Sequence, residues 1–190
     1  TAWEDGALIR EIPGAVICDP ADDVQMEWII KEFLKMEGIH YVRSNRKAVR
    51  NVYKKGSSFK IGQGNILKEG KDILIIAAGQ LVSEALDCAE ELEKEGYSVE
   101  VIDMFTIKPL DEKLLIKEAK GKSKIVTIEN HSIYGGLGSA VSEVIAENGI
   151  SVPVKRIGVK EKFGQVGTAE FLQEEFGLTA KQIKETICQF

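Results

Sequence analysis

The chain has 190 residues, and its 25 Lys and Arg against 30 Asp and Glu give a formal net charge of −5 at pH 7. A mildly acidic chain lacks the basic surplus with which nucleic-acid-binding proteins displace counterions. No apolar run approaches the roughly 20 residues of a membrane-spanning helix, and charged residues interrupt the opening segment where a signal peptide would be apolar. We therefore expect a cytoplasmic protein that binds neither nucleic acid nor a membrane.

The predicted strands are short runs rich in Val and Ile that alternate with amphipathic segments. In chain order they are Ala15–Cys18, Ile39–Arg43, Ile73–Ala77, Val99–Asp103, Ile125–Glu129 and Val154–Ile157. The continuous apolar run that begins at Ile73 is typical of a strand covered on both faces, as in parallel sheets.

The predicted helices between these strands begin at capping residues. The caps are, in chain order, Asp19 for a helix that begins at Pro20, Ser83 for Glu84–Glu95, Asp111 for Glu112–Ala119, and Thr179 with Gln182 in a capping box for the last helix. From Ile73 onward the alternation of strands and helices predicts a three-layer α/β/α unit with a mostly parallel sheet.

The residues before the hinge at Gly56-Ser57-Ser58 are too few to bury a core of their own. They either pack on the unit that follows or form part of a larger α/β domain.

The three cysteines and two histidines point to no metal or disulfide site. Cys18, Cys88 and Cys188 show no C-x-x-C spacing, which predicts neither a disulfide framework nor a zinc site. Each cysteine is expected to pack as a small hydrophobic residue. His40 and His131 are too few for a histidine-based metal centre.

The charge is distributed unevenly. No Asp or Glu lies between Gly38 and Lys68, whereas eight basic residues do: Arg43, Arg46, Lys47, Arg50, Lys54, Lys55, Lys60 and Lys68. A solvated linker is one interpretation of such a run. The other is an anion site, because Arg at a strand end presents a fork of donors that matches phosphate oxygens.

A glycine-rich segment, Gly135-Gly136-Leu137-Gly138, opens a predicted helix. Backbone amides at such a helix start can bind an anion, but Val141 occupies the place of the third glycine in a dinucleotide fingerprint. Close packing of the helix on the sheet, or between subunits, is the favoured interpretation.

Glu129 and His131 follow a predicted strand, at the end where ligands bind in open α/β sheets. Such a pair can perform acid–base chemistry. A hydrogen-bonded turn or an interface contact explains it equally well, because no nucleophile accompanies it.

Five segments together resemble one family. They are Asp19-Pro20-Ala21-Asp22, Tyr41-Val42-Arg43-Ser44-Asn45-Arg46, Phe59-Lys60-Ile61-Gly62, Thr106-Ile107-Lys108-Pro109-Leu110-Asp111, and Thr127-Ile128-Glu129-Asn130-His131-Ser132-Ile133-Tyr134-Gly135-Gly136-Leu137-Gly138. In this order and spacing they resemble the C-terminal part of the transketolases. Deoxyxylulose-phosphate synthases and the beta subunits of 2-oxoacid dehydrogenases share parts of the pattern.

The resemblance implies two domains. Residues 1–58 would be a partial thiamine pyrimidine-binding domain, preceded in the family by further sequence, and residues 59–190 would be the transketolase C-terminal domain. It also implies that Arg46 binds the phosphate of a sugar substrate, with Arg43 in a supporting role. Interface or structural roles are expected for Glu129, His131, Gly135, Gly136 and Gly138.

The resemblance further implies thiamine diphosphate and Mg²⁺ as cofactors, bound mainly by residues outside this chain. The family's activating glutamate has no counterpart here, and no histidine stands near residue 1, where the family has a substrate-binding one. We therefore expect no catalytic residue in the chain and no activity of the chain alone. The expected partners are a second copy in a homodimer, an N-terminal transketolase subunit or domain that carries the diphosphate site, and sugar phosphates of the pentose phosphate pathway.

Two other functions stay open at this point. One is a part similar to the beta subunit of a 2-oxoacid dehydrogenase, whose substrates carry no sugar phosphate. The other is a non-catalytic dimerisation or docking module, which the glycine-rich segment and the lack of the activating glutamate would fit.

Overall fold

A computed structural model describes residues 2–46 and 48–190 of the chain. The strands are β1 Val16–Cys18, β2 His40–Val42, β3 Asn65–Lys68, β4 Ile73–Ala77, β5 Val99–Asp103, β6 Thr106–Lys108, β7 Lys124–Ser132 and β8 Val154–Val159. The helices are α1 Asp5–Arg10, α2 Asp23–Phe33, α3 Val82–Glu93, α4 Glu112–Ala119, α5 Leu137–Glu147, α6 Ala169–Glu175 and α7 Ala180–Gln189.

The larger sheet has five strands in the order β3-β5-β4-β7-β8. Its strands run parallel except β3, which lies antiparallel to β5 at the edge. Every residue of the central strand β4 is buried, because apolar side chains pack on both faces of the sheet. One core contains residues of α3 and α7, and the other contains residues of α4 and α5. The predicted three-layer α/β/α arrangement with a mostly parallel sheet is thus confirmed.

The smaller sheet has the order β2-β1-β6, with β1 parallel to β2 and antiparallel to β6. Strand β6 comes from the later part of the chain, so the first 58 residues pack on the unit that follows them. Trp28, Phe59 and Phe105 pack edge to face around a core on this sheet. The division into two family domains at residue 58 stays a prediction.

Several local predictions were wrong. Asp22, and not Asp19, caps α2 by accepting the amide of Gln25 at 2.9 Å. Helix α3 begins at Val82 without a side-chain cap, and the Ser83 hydroxyl donates to the carbonyl of Gln80 instead. Cys188 is exposed and does not pack in the interior as Cys18 and Cys88 do. Strands β3 and β6 were not predicted.

The two remaining caps are confirmed. Asp111 accepts the amide of Leu114 at the start of α4, and Thr179 and Gln182 form the predicted capping box of α7. Among the helices of the described residues, none is long and apolar enough to span a bilayer.

Candidate functional site

A cleft of about 330 Å³ opens where the ends of strands from both sheets meet. Residues at the start of α1, after β1, after β2, after β4 and within β7 line it. They include Asp5, Asp19, Arg43, Arg46, Gln80 and Asn130.

Arg43 forms the base of this cleft, and each of its three guanidinium nitrogens donates a hydrogen bond. Its Nε atom donates to Asp5 Oδ2 at 3.0 Å, and its Nη1 atom donates to Asp19 Oδ2 at 2.8 Å. Its Nη2 atom donates to the carbonyl of Asn130 at 3.0 Å. Because the side chain is only 12% exposed, this guanidinium is a buried connector between α1, β1 and β7. It is not free to bind an external anion.

The ion pair between Arg43 and Asp5 shifts the pKa values of both groups. Burial raises the pKa of Asp5, but the charge of Arg43 and the hydrogen bonds from Tyr41 and Arg43 outweigh burial and leave that pKa below its usual value. Burial lowers the pKa of Arg43, and the carboxylates of Asp19 and Asp5 raise it above its ordinary value. Asp5 and Arg43 are therefore both charged at neutral pH.

Arg46 is exposed at the rim of the same cleft. It makes no hydrogen bond or ion pair with any residue in 2–46 and 48–190, in contrast to Arg50, whose Nη1 atom lies 2.7 Å from Asp87 Oδ2. Lys47, the next member of the basic run, lies outside the described residues. The acid-free segment therefore contains two arginines three residues apart, of which one is buried between carboxylates and the other faces solvent.

Glu129 binds the start of α5. Its carboxylate accepts the amides of Leu137 at 2.7 Å and Gly138 at 2.8 Å. This internal carboxyl group occupies the position that a bound phosphate would take at a helix N-terminus. Burial raises the pKa of Glu129 to about 7, although the two amides act in the opposite direction.

The glycines of this segment allow close packing. A Cβ atom on Gly136 would lie 2.0 Å from Glu129 Oε2, and one on Gly138 would lie 2.7 Å from Thr127 Oγ1. Gly135 has a φ of +73°, and a Cβ atom there would meet the Cβ of Ala7 at 2.5 Å. These contacts tie α5 to the sheet and to α1.

His131 is buried between Glu129 and Asp5. Its Nδ1 atom donates to the carbonyl of Ser132 at 2.6 Å, which leaves Nε2 as the unprotonated nitrogen, 3.8 Å from Asp5 Oδ1. Burial lowers the pKa of His131, so the ring is neutral at pH 7. The ring lies behind Arg43, next to a small cavity that both residues line.

Sequence reasoning missed a second buried carboxylate, Asp103. Its Oδ2 atom accepts from Tyr53 Oη at 2.6 Å and from Gln25 Nε2 at 2.8 Å, and the residue is fully buried. Burial raises the pKa of Asp103 to about 7. An acid at the end of a buried strand was the available signal. Together with Asp22, which accepts the amides of Val52 and Tyr53, it anchors the segment that follows Arg46.

The chain matches known proteins along its length. A family model described as the C-terminal domain of transketolase matches residues 62–183. A 6-deoxy-6-sulfo-D-fructose transketolase subunit of Clostridium sp. (strain MSTE9) is 40% identical over 182 residues, which cover 96% of this chain and 56% of the relative. A putative transketolase C-terminal section of Methanocaldococcus jannaschii is 40% identical over 188 residues, with coverages of 98% and 58%.

A solved structure described as "Split gene transketolase, inactive beta4 tetramer" superposes with a TM-score of 0.93 at 40% identity. The match covers all of this chain and 61% of that one. The chain thus spans a little over half the length of these relatives. The chain belongs to the transketolase family and corresponds to its C-terminal section.

Proposed function

We propose that this chain is the C-terminal part or subunit of a thiamine-diphosphate-dependent transketolase, which transfers a two-carbon ketol unit between sugar phosphates. The observation that carries the proposal is the free guanidinium of Arg46 on the rim of a polar cleft, beside an arginine that is already neutralised. Such a group is suited to bind the phosphate of a sugar, because its planar fork pairs with two phosphate oxygens.

The described residues do not fit the cofactor. No group of three or more His, Cys, Asp or Glu side chains within residues 2–46 and 48–190 could hold a metal ion. The rings of Trp28, Phe59 and Phe105 pack edge to face on one another around the core of the smaller sheet, so they are engaged in the packing of the chain itself. Thiamine diphosphate and Mg²⁺ would therefore be bound mainly outside this part of the protein.

We accordingly propose that the chain pairs with an N-terminal transketolase subunit or domain, within an assembly that contains two copies of the chain. The names of its relatives support this arrangement, because they are called a subunit and a C-terminal section. The structural relative is described as an inactive tetramer of beta chains, which supports the need for a second type of chain.

Arg46 would act by anchoring the phosphate at a distance from the reacting carbon. Binding energy from such a remote group can orient the substrate and lower the entropic part of the barrier. Arg43 would support Arg46 from below. Its backbone amide donates to the carbonyl of Cys18 at 2.9 Å, and its side chain joins three elements, so the segment that carries Arg46 leaves the sheet in a fixed direction.

The test is steady-state kinetics of the complete enzyme with Arg46→Ala. Loss of a charge-assisted contact of about 1.5–3 kcal/mol corresponds to a rise of roughly 10- to 100-fold in KM for phosphorylated sugars. Arg50→Ala, which removes an exposed arginine of the same acid-free segment outside the cleft, is the matched control. An unchanged KM for phosphorylated sugars in the Arg46→Ala enzyme would refute the assignment.

A further inference from the structure

Two residues with side-chain amides, Gln80 and Asn130, line the cleft that Arg46 borders. Gln80 lies in a 3-10 turn, Gly79–Leu81, directly after β4, and Asn130 lies toward the carboxyl end of β7. The two strands are paired in parallel, with Ala77 opposite Ile128. Both residues therefore lie toward the carboxyl ends of the parallel strands, where ligands bind in open α/β sheets.

The backbone next to Gln80 and the backbone of Asn130 hydrogen-bond to Asp19 and Arg43, the two residues of the ion pair beneath the cleft. The amide of Gly79 donates to the carbonyl of Asp19 at 3.0 Å. A Cβ atom on Gly79 would lie 2.5 Å from Asp19 Oδ1, and the φ of +66° also favours glycine there. On the other side, the carbonyl of Asn130 accepts from Arg43 Nη2. Gln80 and Asn130 are thus held against Asp19 and Arg43, which also support the segment that carries Arg46.

The two side-chain amides have donors to offer. Both residues are half-buried, and neither amide group hydrogen-bonds to another residue of the described chain, 2–46 and 48–190. The carbonyl of Asn130 accepts from Arg43 Nη2, and the carbonyl of Gln80 accepts from the Ser83 hydroxyl. Half-buried amide donors beside a polar cleft gain a partner when a ligand with acceptor oxygens enters.

The charged groups of the cleft would not satisfy all the oxygens of a bound phosphate, so neutral hydrogen-bond donors can contribute. Asp5 and Asp19 both pair with Arg43, so that Arg46 is the cation with a free fork among the described lining residues. One guanidinium fork pairs with two oxygens of a phosphate monoester, which has three terminal oxygens. The remaining lone pairs require other donors, and amide N–H groups meet this requirement.

We propose that Gln80 and Asn130 are specificity-determining residues that donate hydrogen bonds to the phosphate oxygens of the sugar bound by Arg46. The inference rests on the function proposed above and extends its substrate site to the larger sheet. The phosphate is then held between the two sheets, by Arg46 on one side and by the two amides on the other.

The test compares a sugar phosphate with the same sugar lacking the phosphate, using the complete enzyme. Gln80→Leu removes the amide at similar volume, and Asn130→Ala removes the other. We expect each variant to lower kcat/KM for the phosphorylated sugar by about tenfold, because a hydrogen bond to a charged group is lost. The value for the unphosphorylated sugar should change less than about twofold, because that substrate makes no such bond. Gln80→Glu should cause a larger loss than Gln80→Leu, because it places a negative charge beside the phosphate.

Gln63→Leu, at an exposed loop position outside the cleft, serves as the control for loss of a glutamine. Equal losses for both sugars, or no loss in either variant, would overturn the proposal. If Arg46→Ala lowers the preference for phosphorylated sugar while the amide variants do not, the inference fails and the proposed function stands. If Arg46→Ala leaves that preference unchanged as well, both are overturned.

Discussion

Replacement of Arg43 by Met should destabilise the protein strongly without touching the free arginine of the cleft. Arg43 is 12% exposed, and its two carboxylate partners, Asp5 and Asp19, are 15% and 10% exposed. Methionine would fill much of the volume but leave two largely buried carboxylates without their cation. Breaking a buried ion pair from one side costs about 3–5 kcal/mol. Two carboxylates share this arginine, so we expect a loss toward the upper end of that range.

The measurement is the free energy of unfolding in urea, with Arg46→Ala as the matched control. Because Arg46 is exposed and has no partner among the described residues, its removal should change stability by less than about 0.5 kcal/mol. Arg43→Lys should fall between the two, because a lysine keeps the charge but cannot span both carboxylates. Combining Arg43→Met with Asp5→Asn and Asp19→Asn should recover part of the loss, since no uncompensated charge then remains. A loss below about 1 kcal/mol for Arg43→Met would refute the reasoning.

Two further predictions concern the buried carboxylates. The folded-state pKa of Asp103 is about 7, above its ordinary value of 3.8, so the folded protein holds this proton more tightly and loses stability as pH rises from about 4 to 7. As the pH rises from 5 to 8, the Asp103→Asn variant should therefore gain stability relative to the wild type, and urea unfolding at several pH values measures this change. Equal pH slopes would contradict this. Gly136→Ala should cost about 1–3 kcal/mol, because its Cβ would lie 2.0 Å from Glu129 Oε2. Gly164→Ala, whose Cβ would have its nearest neighbour 4.0 Å away, should be close to neutral, and thermal unfolding of both variants measures the difference.

The sequence predicts those elements whose signal is local. Strand β4 has the predicted bounds because a continuous apolar run can only be buried on both faces of a sheet. Helix α4 begins where Asp111 predicts it, because an N-cap bonds to amides two or three residues away. Both signals depend on residues within one turn or one strand, so no knowledge of the tertiary structure is needed to read them.

Features that depend on distant partners could not be predicted. Aspartate is a preferred N-cap residue, so Asp19 and Asp22 are both candidates for the cap of α2. The side chain of Asp19 instead pairs with Arg43, which lies 24 residues away in the sequence. Strand β6 is three residues long and is defined by its pairing with β1, nearly 90 residues earlier. The contact between Tyr53 and Asp103 spans 50 residues. In each case the periodicity of the local sequence carries no information about the partner.

The candidate site was predictable in part for the same reason. The arginine-x-x-arginine spacing places Arg43 and Arg46 in one segment, but it does not indicate which guanidinium is neutralised. That distinction comes from Asp5 and Asp19. Gln80 carries no signal of its own, because an amide after a strand becomes notable only when the fold brings it to the same cleft as an arginine.

The position of Arg43 also explains why the cleft exists before any ligand arrives. Its donors connect Asp5 at the start of α1, Asp19 after β1 and the backbone of Asn130 in β7, so one side chain links the two sheets. In the site proposed above, a substrate would meet Gln80 and the backbone that carries Arg46 already positioned by these contacts. Little of the binding free energy would then be lost to ordering this part of the protein, and a few polar contacts could give useful affinity. In the function proposed above, the largely buried Arg43 builds the site, and the exposed Arg46 is the residue that would bind the substrate.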